Sequence, residues 1–128
     1  MIKPKLLPIV IYLSFILILY ISPNNVFSII NNSNILGLRI DYILHVIFLI
    51  PLPLLIYKYT ALKSSQVIVI TLLISFSIEF IHILLPYRSF NKLDVLANLF
   101  GSLFGIIVHI IFLVATKKTK PYFINFNE

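Results

Sequence analysis

Two lines of polar residues interrupt an otherwise apolar chain, and their side chains could support acid–base or ligand-binding chemistry. The first line places Thr71, Ser75, Glu79 and His82 at helical spacing, so all four lie on one face of a helix. A carboxyl and an imidazole three residues apart can exchange a proton, and the same spacing suits two ligands of a metal. The first line therefore predicts an acid–base, metal-binding or ligand-binding site.

The second line contains Asp94, Asn98, Gly101 and Gly105, which also fall on one helical face. The two glycines have the small-xxx-small spacing that lets helices approach closely, so we predict that they pack within a bundle; a homodimer face is the alternative. Asn98 forms a hydrogen bond either to a neighbouring helix or to a ligand. A short loop separates the two lines, and we expect them to face each other.

Further charged residues flank these lines. Asp41 is a candidate N-cap of an earlier helix, and His45 lies one turn later on the same face. Arg88 is the basic residue nearest the end of the helix that carries Glu79, so we predict that these two pair. A guanidinium can also bind a phosphate of a ligand. The predicted cluster of charged residues around the two lines consists of Arg39, Asp41, Glu79, Arg88, Lys92 and Asp94.

Composition assigns the chain to the integral membrane proteins. Of its 128 residues, 60% are hydrophobic and only 11% are charged, and the mean hydropathy is +1.07. A soluble domain of this size could not bury so much apolar surface. The net charge of +6 does not indicate nucleic-acid binding, because the basic residues cluster at the ends of apolar runs. There is no cysteine, which excludes disulfides and thiolate metal sites.

The apolar runs predict an all-α, polytopic bundle of four transmembrane helices in a single domain, 1–128. Pro51 and Pro53 lie within the second helix, where each removes a backbone donor; we expect a kink that serves packing or opens a pocket. Lys3 and Lys5 before the first run are also typical of a signal peptide, but no small-residue cleavage site follows. The predicted helices cover about 6–22, 41–59, 66–85 and 93–116.

The distribution of basic residues predicts the orientation in the cell membrane. Seven of the ten lysines and arginines lie at the termini and in the second loop, which places both termini in the cytoplasm. Asp41, Glu79 and Asp94 then lie in the outer half. A charged carboxylate near the middle of a span costs about 2.5–3.5 kcal/mol on insertion scales, so Glu79 needs a partner or a proton.

The order and spacing of these residues resemble the VanZ-like family of small bacterial membrane proteins. His82 stands where the family usually has glutamine, and Asn91 stands where an aspartate is common. The resemblance implies a fold and a site; the name-giving member is associated with resistance to teicoplanin, which implies a cell-envelope role. The matching residues span about 41–107 and are Asp41, His45, Glu79, Pro86, Arg88, Asp94, Asn98, Gly101 and Gly105.

Four functional readings remain open. The polar residues could bind a lipid-linked envelope precursor, a lipoglycopeptide or another anionic membrane lipid, with Arg88, His82, Asp94 and Asn98 as the ligand-binding residues. They could instead form a membrane enzyme that uses Glu79, His45 or Asp41 for acid–base chemistry. A purely structural polar network is the third reading. A transporter or channel is the fourth, and the lack of an internal repeat argues against a secondary transporter.

The same residues could also form a metal-binding site. Glu79 and His82 have ligand spacing, and Asp41 and His45 could add two ligands. The glutamine that is usual at position 82 in the family argues against it. We therefore predict no metal and no cofactor, and the pattern does not indicate an oligomeric state.

Overall fold

The computed structural model describes residues 6–22, 34–35, 38–87 and 89–116. This part of the chain is helical apart from two short antiparallel strands, β1 (Asn34–Ile35) and β2 (Leu38–Arg39). The all-α expectation is confirmed. The helices are α1 (Leu7–Ile21), α2 (Ile40–Leu49), α3 (Leu52–Tyr59), α4 (Ser64–His82) and α5 (Lys92–Ala115).

The predicted second helix is interrupted between α2 and α3. Pro51 and Pro53 lack the N–H groups that would continue the hydrogen-bond ladder, and the helix stops at Leu49 and restarts at Leu52. The hydroxyl of Tyr12 on α1 donates to the carbonyl oxygen of Phe48 at 2.6 Å. A side chain from a neighbouring helix thus satisfies one carbonyl at the break, as buried backbone in a membrane requires.

Helix α5 packs against α2, α3 and α4 and is the centre of the bundle. The contact with α2 depends on glycine, because a Cβ built on Gly101 would lie 2.5 Å from the carbonyl oxygen of Val46. A Cβ on Gly105 would collide with the carbonyl oxygen of Ile50 in the same way. The glycine half of the second polar line therefore faces α2, whereas the sequence had predicted that the line faces α4.

The outer surface of the bundle is apolar along its length. Among the described residues, three stretches are long and apolar enough to cross a membrane, Ile40–Tyr59, Ser64–His82 and Lys92–Ala115. Helix α1 is apolar as well but has only 15 residues. Large hydrophobic side chains such as Phe100, Phe104 and Leu73 are exposed on these helices. A surface of this kind is stable in lipid and not in water, which supports the membrane assignment.

Two helix ends differ from the sequence-based expectation, and both differences concern the site. Helix α4 ends at His82 and not at 85, because the next amide groups bond to carbonyls three residues back in a tight turn that leads to Pro86. Helix α2 begins one residue early, with Arg39 at the N-cap position. Asp41 therefore lies within the first turn, where its carboxylate accepts from the N–H of Tyr42 at 3.0 Å.

Candidate functional site

The buried polar side chains gather where α4 ends and where α2 and α5 begin. We call this group the polar-end cluster. Apart from half-buried Asn91, its members are buried, although charged and polar residues are rarely buried without partners. The polar-end cluster consists of Tyr20 from α1, His45 from α2, Glu79 and His82 from α4, Asn91 before α5, and Asp94 and Asn98 on α5.

Glu79 and His82 form the buried ion pair of the cluster, with 0% and 2% of their side chains exposed. Nδ1 of His82 lies 3.1 Å from Oε1 of Glu79, and Nε2 lies 2.9 Å from the carbonyl oxygen of Tyr20. A carbonyl oxygen only accepts, so Nε2 carries a hydrogen and donates. Nδ1 faces the carboxyl group, and the contact is an ion pair when the imidazole is protonated.

Glu79 has a second partner in the loop before α5. Its Oε1 accepts from the backbone N–H of Asn91 at 2.8 Å. Its other oxygen, Oε2, is buried without a hydrogen-bond partner among the described residues. Arg88, the partner predicted from the sequence, lies outside the described residues. Within the described part of the chain, the partners of Glu79 are therefore His82 and Asn91.

His45 and Asn98 form the second pair of the cluster. Nδ1 of His45 lies 2.9 Å from Oδ1 of Asn98, and the hydroxyl of Tyr20 donates to the same oxygen at 3.1 Å. The Tyr20 ring packs edge-on against the imidazole, with centroids 4.4 Å apart. Because an amide oxygen only accepts, His45 carries its hydrogen on Nδ1, and its neutral Nε2 is an acceptor. Nδ2 of Asn98 is buried with no partner in the described ranges.

Asn91 connects the start of α5 to the rest of the cluster. Its Oδ1 accepts from the N–H of Leu93 at 3.0 Å and so caps α5. Its Nδ2 donates to Oδ1 of Asp94 at 3.1 Å and lies 3.4 Å from the hydroxyl of Tyr42. Asn91, and not Asp94, is therefore the helix cap. Asp94 lies in the first turn, where the helix dipole favours a carboxylate.

Two described cations lie at the exposed edge of the cluster, which we call the rim: Arg39, which is neutralised by an acid, and Lys92, which is not. Arg39 forms an ion pair with Asp41 and lies over the ring of Tyr42, 4.9 Å from its centroid. Burial lowers the pKa of the Arg39 guanidinium, but the charge and the hydrogen bond of Asp41, together with the smaller effects of Tyr42 and Asp94, outweigh it, so the pKa is raised. Lys92 is exposed and forms no ion pair with any described carboxylate. Of the described rim cations, Lys92 is the one available to an anion.

A second, smaller polar contact lies at the opposite end of the bundle. Nε2 of His109 on α5 lies 3.0 Å from the hydroxyl of Ser64 on α4, and the ring of Tyr57 packs at 4.9 Å from the imidazole. His109 thus joins α5 to α4 through a hydrogen bond between the two helices. The buried hydroxyls of Thr71 and Ser102 lie between the two ends and have no partners among the described residues.

The first polar line is buried, and so are Asp94 and Asn98 of the second. Among the described residues, hydrogen bonds through two further residues, Tyr20 and Asn91, join the two lines. Tyr20 links them by donating to Asn98 and accepting from His82. Asn91 links them by bonding Glu79 and Asp94. Sequence reasoning assigned no site role to either residue. Tyrosine is also common at the membrane–water interface, so a tyrosine in an apolar helix does not by itself indicate a site residue.

The four residues of the metal-binding version do not converge. Asp41 is held by Arg39, and His45 is held by Asn98, while Glu79 and His82 bond each other. Within the described residues, no three histidine, cysteine, aspartate or glutamate side chains are arranged to hold a metal ion.

Comparison with known proteins gives one match. The model of the VanZ/LLP1 family matches residues 6–113, which include every member of the polar-end cluster. No curated protein and no solved structure matches the chain.

Proposed function

The chain belongs to the VanZ/LLP1 family, and from that premise we propose that its polar-end cluster binds the anionic head group of a membrane lipid or lipid-linked envelope precursor. The proposed side is the outer one, as the distribution of basic residues predicts. A role in the cell envelope or in resistance to lipoglycopeptides follows from the same proposal.

One observation carries this proposal: buried polar atoms without partners lie beside an available cation. Oε2 of Glu79 and Nδ2 of Asn98 have no hydrogen-bond partners among the described residues. Leaving such an atom unpaired costs about 1–3 kcal/mol, so a purely structural network would be expected to pair them. Lys92 begins α5 directly beside the cluster and is free to contact a phosphate. These features fit a lipid head group whose acyl chains lie along the apolar helix faces.

The expected ligand-binding residues fall into two groups. Asp94, Asn98 and His82 lie in the cluster itself. Arg88 lies outside the described residues and stays a prediction from the sequence, as the second cation for the phosphate. Asp41 contributes by holding Arg39 at the rim.

An acid–base enzyme acting on an envelope lipid is the second candidate, and a specific observation favours it. The carboxyl group of Glu79 and the imidazole of His82 lie 3.1 Å apart, and His45 bonds Asn98 through Nδ1, which leaves Nε2 as an acceptor. A donor and an acceptor of protons in one buried cluster can support general acid–base catalysis. Glu79, His45 and, at the rim, Asp41 are its candidate catalytic residues.

Lipid co-purification tests the binding proposal. Anionic lipids that remain bound to the detergent-purified wild type would be quantified by mass spectrometry and compared with those bound to Lys92→Ala. We expect about a fivefold loss, because one lysine–phosphate contact contributes about 1 kcal/mol. Lys63→Ala is the matched control, since Lys63 is exposed at the opposite end. Equal amounts of anionic lipid on both variants and on the wild type would contradict the proposal.

A further inference from the structure

We propose that the head group recognised by the polar-end cluster carries hydroxyl groups, as glycerol or a sugar does, and that these hydroxyls enter the cluster while the phosphate stays at the rim. This inference rests on the proposed function, because it names the chemical class of the same ligand. Its basis is the hydrogen-bonding capacity that the buried side chains leave unused.

The first unused group is an acceptor on His45. Its Nδ1–H is committed to Oδ1 of Asn98, and the edge-on ring of Tyr20 fixes the plane of the imidazole. Nε2 therefore presents a lone pair, and the hydrogen bond of the imidazole to a described side chain is made by Nδ1. The residue is only 7% exposed, but Nε2 is not among the fully buried atoms without a partner, so a ligand can reach it. A ligand that occupies this position must supply a hydrogen.

The second unused group is also an acceptor. Oε1 of Glu79 is shared by His82 and Asn91, which leaves Oε2 without a described partner. His82 and the N–H of Asn91 both lie on the Oε1 side of the carboxyl group. The lone pairs of Oε2 are therefore left to accept a hydrogen bond.

The third unused group is a donor, Nδ2 of Asn98. Its amide oxygen receives two hydrogen bonds, whereas the amide nitrogen has no described partner. Asn98 bonds His45 and the hydroxyl of Tyr20, while His82, which contacts Glu79, bonds the backbone carbonyl of Tyr20. The two acceptors and the donor thus belong to residues that Tyr20 joins.

The chemical class of the ligand follows from this set. A phosphate at neutral pH offers acceptors, so it could satisfy Asn98 but neither His45 nor Glu79. An ammonium group offers only donors, and it would leave the Asn98 amide unpaired. Two neighbouring hydroxyls offer two donors and several acceptors, which satisfies all three groups.

Charge fixes the orientation of the ligand. Asp94 adds a buried carboxyl group to the cluster, and its negative charge would repel a phosphate placed beside it. Lys92 is exposed at the rim and attracts it. The hydroxylated part is therefore the part that enters.

A pair of lipids with the same charge tests the inference without any mutation. Binding to the detergent-solubilised full chain would be measured by native mass spectrometry with phosphatidylglycerol, phosphatidylmethanol and phosphatidylcholine of identical acyl chains. The first two carry the same negative charge, but only phosphatidylglycerol has a diol. We expect phosphatidylglycerol to bind about tenfold more tightly than phosphatidylmethanol, a difference of about 1.4 kcal/mol. His45→Phe should abolish this preference and still bind phosphatidylmethanol.

The three lipids also separate the two proposals. If both anionic lipids bind equally and more tightly than phosphatidylcholine, anion binding stands and the hydroxyl inference is wrong. Tighter binding of phosphatidylmethanol than of phosphatidylglycerol overturns it as well. If neither anionic lipid binds more tightly than phosphatidylcholine, the proposed function fails together with the inference.

Discussion

Nδ1 of His82 lies 3.1 Å from Oε1 of Glu79, one turn apart at the end of α4. The other imidazole nitrogen donates to the backbone of Tyr20 on α1, so the pair also joins two helices. We predict that the two side chains share one proton, because a pair that is neutral overall can be buried in an apolar layer at a lower cost.

This contact predicts energetic coupling between the two residues. His82→Ala removes the donor to the Tyr20 carbonyl and leaves Oε1 of Glu79 with the N–H of Asn91 alone, and we expect it to lower the free energy of unfolding by about 1–3 kcal/mol. Glu79→Gln keeps an oxygen for the N–H of Asn91 and should remain folded. The double variant should lose less stability than the sum of the two single variants, with a coupling of about 0.5–3 kcal/mol.

Reversible unfolding in mixed detergent, followed by circular dichroism, measures these free energies. His109→Ala combined with Glu79→Gln is the control, since His109 bonds Ser64 at the opposite end and should give additive effects. Additivity of the Glu79 and His82 variants would mean that the two side chains do not share a proton.

The sequence predicted the helices well because their signals are local. Apolar runs and basic flanks placed the helices within a few residues, and Pro51 and Pro53 predicted the interruption of the second one. The end of α4 was placed three residues late, because leucines before Pro86 suit a helix and a tight turn equally well.

The candidate site was predicted only in part, because its connections are not local. Glu79 and His82 are three residues apart, and their contact follows from helical spacing. The bond from Tyr20 to Asn98 joins residues 78 positions apart, and no periodicity indicates it. The glycine spacing indicated a close helix contact but not its partner, which is the backbone of Val46 on α2.

The close contact of α5 with α2 predicts that even alanine is too large at position 101. The added methyl group would lie 2.5 Å from the carbonyl oxygen of Val46, so the two helices would have to separate. We expect Gly101→Ala to lower the free energy of unfolding by about 1–3 kcal/mol, as overpacking does. Leu103→Ala on the exposed face of the same helix is the control and should change stability by less than about 0.5 kcal/mol. Equal stability of the two variants would mean that the contact with α2 is loose.

Asn98 predicts an unusual tautomer for His45. Its amide oxygen holds the hydrogen on Nδ1, whereas His82 must carry one on Nε2 to reach the carbonyl of Tyr20. The chain has three histidines, so selective ¹⁵N labelling gives a spectrum that single His→Gln variants can assign. We expect the two tautomers to be resolved, and Asn98→Leu to release the His45 hydrogen from Nδ1. His109→Gln should leave the His45 signals in place, and an Nε2–H tautomer for His45 in the wild type would contradict the arrangement.

The orientation of the bundle decides which side of the membrane the polar-end cluster faces, and it can be measured directly. The chain has no cysteine, so single cysteines can be introduced without background. Ser89 is exposed in the loop beside the cluster, and Ala61 is exposed in the loop before α4 at the other end. Neither substitution changes the count of lysines and arginines on which the prediction depends. An impermeant thiol reagent applied to intact cells should label Ser89→Cys, and it should label Ala61→Cys only after the cells are opened. The reverse pattern would place the cluster on the cytoplasmic side, where its ligand would be a lipid of the inner leaflet and not an envelope precursor.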